Sequence, residues 1–113
     1  MSDSPIDQAI FDELKEATGE EFAAELVLTF LEEATQMLAE LKGAVASGDA
    51  DSYRRAAHSI KSNASTFGAT GLAEPARKIE LGPLPDADNT ADADALEAEF
   101  QLTAQVLRSL VDG

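Results

Sequence analysis

No cysteine occurs in the 113 residues, which removes disulfide frameworks, thiol nucleophiles, Cys-ligated zinc and iron–sulfur clusters together. An intracellular setting is compatible with that. No apolar run approaches the roughly 20 residues of a membrane span. The opening stretch, Met1 to Asp7, is polar and acidic, unlike a targeting segment. A soluble, cytoplasmic protein is expected, and the initiating Met1 favours a free-standing one. Positive charge is scarce: 8 basic residues stand against 22 acidic ones, for a net charge of −14. Nucleic acids and anionic membranes are bound by Lys and Arg, so this balance argues against both and leaves proteins as the expected partners. The length suits a single domain over 1–113 with one core. With 44% of residues hydrophobic, the chain is not composed like a disordered acidic tail.

What is present is helical periodicity. Ile6, Ile10 and Leu14 recur at four-residue spacing in a short segment closed by Gly19. From Glu20 to about Val45 a longer stripe runs through Phe22, Leu26, Phe30, Ala34, Met37, Leu41 and Val45. Glu20 and Glu21 suit the positive end of its dipole, and Gly48 is placed to stop it. Asp49 or Asp51 can cap a third helix, whose stripe is Tyr53, Ala57, Ile60, Ala64 and Phe67, ending at Gly68. A shorter segment with Leu72, Ala76 and Ile79 follows, although Pro75 removes one of its backbone donors. Gly82-Pro83-Leu84-Pro85-Asp86-Ala87-Asp88-Asn89 breaks any helix. After Thr90, a last helix shows Leu96, Phe100, Ala104, Leu107 and Val111. No segment alternates like a strand. The expected fold is all-α: an up-down four-helix bundle with a short additional N-terminal helix, and a monomer because no apolar face is left over.

Function must come from a site on that bundle. Between Arg54 and Lys78 lie five basic residues (Arg54, Arg55, Lys61, Arg77, Lys78) and one acid, Glu74, whereas the rest of the chain holds 3 basic and 21 acidic residues. This basic island contains the single histidine, His58. At about 100° per residue, His58 falls roughly 140° from the centre of its helix's apolar stripe, so it should face solvent. Arg54, Lys61, Ser62 and Ser65 share its side of the helix. A lone surface histidine on a mixed charged face is also what any solvated helix shows. A metal site is not expected, since one imidazole has only carboxylates to join it and cations as its nearest neighbours.

The stretch Ala57-His58-Ser59-Ile60-Lys61-Ser62-Asn63-Ala64-Ser65-Thr66-Phe67-Gly68-Ala69, with Leu72 and the pair Ile79-Glu80, resembles the signature of the histidine-containing phosphotransfer (HPt) domain. The resemblance extends to the order and approximate lengths of all five helices. It implies that His58 is a phosphoacceptor and that Lys61 offsets charge on the phosphoryl oxygens. Glu80 falls where the family places Glu or Gln, and a carboxylate there can bond the ring N–H and leave the other nitrogen free to attack; an ordinary solvated Glu is the alternative. Ser62 stands where many relatives carry Gly and is small enough to let a partner approach. Ser65 can donate a hydrogen bond near the imidazole or bond its own helix. Gly68 is structural, serving the turn. Arg54 and Arg55 are candidates for partner docking on a face formed by the third helix and neighbouring parts of the second.

By resemblance, the partners are receiver domains of response regulators or hybrid histidine kinases, which donate from a phospho-aspartate to His58 and accept from it. No cofactor of the chain's own is implied; Mg²⁺ is expected on the receiver. No Gly-rich phosphate loop, Walker sequence or kinase signature is present, so ATP-dependent kinase activity has no support. The competing reading is a non-catalytic acidic helical adaptor that docks a signalling protein without carrying phosphate.

Overall fold

A computed structural model describes residues 5–112, so most of the polar opening stretch read from Met1 lies outside the described residues, as does Gly113. Five helices account for nearly all of it: α1 (Gln8–Thr18), α2 (Glu20–Ser47), α3 (Ala50–Thr66), α4 (Thr70–Leu81) and α5 (Ala91–Asp112). No strand occurs among the described residues. α2 packs on α3 and α5, and α4 packs on the same two, so the last four helices close a ring in chain order. This is the up-down bundle. α1 packs on α2 and, less extensively, on α3. At 1.5 Å per residue the 28 residues of α2 account for the 42 Å long dimension of the molecule. No described helix is long and apolar enough to cross a membrane.

The boundaries follow local chemistry. Asp7 caps α1, its carboxylate accepting the Ala9 N–H at 3.1 Å. Gly48, at φ +73°, ends α2, and the Asp49 N–H beyond it closes back on the Ala44 carbonyl at 2.9 Å. Asp49 then caps α3, accepting from the Ser52 N–H at 3.1 Å and from its hydroxyl at 2.7 Å. The Ser52 hydroxyl bond is the main reason this carboxyl sits below the usual carboxylate range, followed by the Ser52 N–H. α4 runs through Pro75 as one unbroken helix. The missing donor therefore costs α4 a bond without dividing it.

Phe30 of α2 occupies the centre of the core, stacked on Phe67 at 4.9 Å between centroids and edge-on to Phe100 of α5 at 6.5 Å. The α3 stripe of Tyr53, Ala57, Ile60, Ala64 and Phe67 is buried throughout, as are Leu72, Ala76 and Ile79 of α4. Three stripes differ in part from the sequence expectation. Phe22 is 51% exposed, while Ala23 and Val27 are buried in its place. Two apolar rows lie side by side there, and with α1 and α5 both packed on α2 the buried arc centres one residue further on. In α1 the fully buried residue is Phe11, whereas Ile10 and Leu14 are half-buried. Val111, at the end of α5, is also only half-buried.

Candidate functional site

The α3–α4 turn sets the relation of the two helices that carry the site. The Gly68 N–H donates to the Ser65 carbonyl at 3.1 Å and the Ala69 N–H to the Ala64 carbonyl at 2.8 Å, a pairing that requires Gly68 in the left-handed region, at φ +73°. Gly68 has a second role that its position in the sequence did not reveal. A Cβ there would stand 2.8 Å from the Asp7 carbonyl oxygen and 2.9 Å from the Ile10 Cβ. The Asp7 N–H donates to the Gly68 carbonyl at 2.6 Å, and the Gly71 N–H to the Pro5 carbonyl at 3.1 Å. The chain ahead of α1 is thus bound to the turn.

His58 projects from α3 with its side chain 56% exposed. On the last turn of α4, Glu80 reaches across with one carboxylate oxygen to His58 Nδ1 at 2.6 Å and the other to Lys61 Nζ at 2.6 Å. The side chains of Lys61 and Glu80 are 29% and 20% exposed, so the ion pair is recessed while the imidazole stands out. The Lys61 hydrogen bond is the largest influence holding the Glu80 carboxyl below its ordinary value; partial burial opposes it, and His58 adds to it. An ionised carboxylate can only accept, so Nδ1 carries the proton in this contact. In the neutral ring, the lone pair then belongs to Nε2, which has no hydrogen-bond partner among the described residues.

The remaining residues named from the sequence fall around this centre in different ways. Ser62 and Ser65 are exposed on α3, and among the described residues neither hydroxyl bonds the imidazole. Arg54 and Arg55 are exposed, as are Arg77 and Lys78 of α4. Among the described residues none of these four has a carboxylate within ion-pair distance. Arg55 borders an open cleft of about 290 Å³ between α2 and α3, with Glu40, Ser47, Ser52 and Ser59. No group of three or more potential metal ligands occurs among the described residues. The pairing of Lys61 with Glu80 is what sequence reasoning missed. Its signal is that the resemblance puts Lys61 beside the phosphoryl group and Glu80 beside the imidazole of the same residue, from two different helices.

A protein-family model described as the Hpt domain matches residues 25–110. Among solved structures, the chain is similar to histidine-containing phosphotransfer protein B (HptB) from Pseudomonas aeruginosa PAO1, with 27% identity and a TM-score of 0.88 over 98% of this chain and 97% of that one. No curated protein matches the chain at significant similarity.

Proposed function

Because the chain belongs to the Hpt domain family, we propose that His58 is the residue on which it carries the phosphoryl group. Its function is histidine phosphotransfer in a two-component relay, as an intermediate and not as an ATP-dependent kinase, and its partners are receiver domains. The observation that carries the assignment to His58 is the orientation of its ring: Nδ1 is bonded to Glu80, and Nε2 stands on an exposed side chain with no partner among the described residues.

In this reading the Nε2 lone pair attacks the phosphorus of a receiver's aspartyl phosphate. The N–P bond forms as the bond from phosphorus to the acyl oxygen breaks, and that electron pair stays on the aspartate as carboxylate. Nδ1 keeps its proton, so the phosphorylated ring is cationic and the Glu80 carboxylate stabilises it. Transfer to a second receiver is the reverse displacement. Lys61 supplies positive charge near the equatorial oxygens. Mg²⁺ belongs to the receiver in this scheme, and the chain contributes the nucleophile, its ring proton and the ammonium. Arg54 and Arg55 guide docking, Ser62 leaves space for it, and Ser65 borders it. We further assign one domain over 1–113, acting as a monomer.

The test is transfer from a panel of acetyl-phosphate-charged receivers to the wild type and to His58→Gln, scoring acid-labile, base-stable label. Label on the wild type alone is expected. No label from any receiver, and none from phosphoramidate on folded protein, would return the chain to the adaptor reading.

A further inference from the structure

The Glu80 carboxylate is shared, and the consequence of sharing changes with the state of His58. At rest the carboxylate has one cationic partner, Lys61 Nζ at 2.6 Å, and one neutral donor, Nδ1–H at 2.6 Å. No other hydrogen bond holds Nζ among the described residues, and two of its three donors remain unused. When Nε2 takes a phosphoryl group, the ring becomes a cation still bonded to Glu80, and roughly two negative charges appear on phosphoryl oxygens beside it. Charges then balance best in a different pairing: imidazolium with Glu80, ammonium with phosphoryl. Lys61 lies one turn from His58 on the same side of α3 and carries its charge on a flexible four-carbon stem, so the change requires side-chain rotation only.

We propose that Lys61 is an exchangeable counter-ion, paired with Glu80 while His58 is unmodified and handed to the phosphoryl group when His58 is phosphorylated, with Glu80 as the positioning residue that stores it. This rests on His58 being the phosphoacceptor and adds a regulation of that same site. Glu80 competes with the phosphoryl group for Lys61, so the pair sets the free energy at which the domain holds phosphate, between that of its donor and that of its acceptor. A fixed Lys61–Glu80 unit would have no such dependence.

The experiment is a double-mutant cycle on the equilibrium of transfer between one charged receiver and the full chain at pH 8, where an ordinary imidazole is neutral. Wild type, Lys61→Met, Glu80→Gln and the double variant are compared, with circular dichroism confirming the fold of each. The equilibrium constant refers to the separated proteins, so contacts made only in the complex drop out. Exchange predicts that Lys61→Met lowers the constant at least threefold more in the Glu80→Gln background, where nothing competes for the ammonium, than in the wild-type background. Equal penalties in the two backgrounds overturn the proposal, as does a larger penalty with Glu80 present. Failure of the wild type to label from either a receiver or phosphoramidate removes the phosphoacceptor reading and this proposal with it, whereas labelled protein with equal penalties removes the exchange alone.

Discussion

Glu80 makes the site answerable to acid. Its carboxyl is held below the usual range chiefly by Lys61, so it contributes stability that is fully present above its unfolded value and lost as pH falls through the lower folded value. The stability difference between wild type and Glu80→Gln is therefore expected to be largest near neutrality and to vanish on acidification. Urea unfolding from about pH 7 down to about pH 2 checks this, and a pH-independent difference would contradict it. A second residue contributes in the opposite sense. Thr103 of α5 is fully buried, and among the described residues its hydroxyl has no hydrogen-bond partner. Thr103→Val keeps the shape and removes the stranded polar group, and is expected to stabilise the fold by about 1 kcal/mol, read from the urea midpoint at unchanged slope. At the candidate site, the exposure of His58 was legible because a 3.6-residue period places it away from an unambiguous apolar stripe. The Lys61–Glu80 bond was not, since periodicity says nothing about which side chains of two separate helices share a partner.

The elements depend on how α3 is joined to α4. Gly68 meets two demands, a left-handed φ and close approach to Asp7 and Ile10, so Gly68→Ala strains the turn and displaces the start of α1 together. A loss of about 2–3 kcal/mol in urea unfolding is expected, with faster amide exchange at Asp7, whose N–H bonds the Gly68 carbonyl. Exchange at Asp7 unchanged by the substitution would show that α1 is held independently of the turn. Helix order and the caps at Gly48 and Asp49 were readable because glycine and aspartate act locally. The rotation of α2 was not, because Phe22-Leu26-Phe30 and Ala23-Val27-Phe30 satisfy the same spacing. Only the neighbours α1 and α5 choose between them. Pro75 shows the limit of propensity: packing of Leu72, Ala76 and Ile79 carries α4 through a residue that would disfavour an isolated helix.

At the scale of the whole molecule, the net charge of −14 and the exposed basic side chains Arg54 and Arg55 on the helix that bears His58 act over different distances. The screening length is about 10 Å at 0.1 M salt and about 3 Å at 1 M, against a molecule 42 × 29 × 19 Å across. If Arg54 and Arg55 guide docking, Arg54→Glu/Arg55→Glu should slow association with a receiver about tenfold at low salt, with the difference fading toward 1 M. Stopped-flow measurement across that range decides it, and equal rates at low salt would remove both arginines from the docking face.

With no tryptophan and one tyrosine, the molecule carries a single strong intrinsic chromophore. That tyrosine, Tyr53, is buried on α3 ahead of His58, and burial, reinforced by Asp92, pushes its phenol up. Ultraviolet emission during denaturation thus reports the seating of α3, the helix that bears His58. Light at tryptophan wavelengths meets a dark protein, so any receiver that has a tryptophan brings the only signal, and its docking can be followed without a label on either partner.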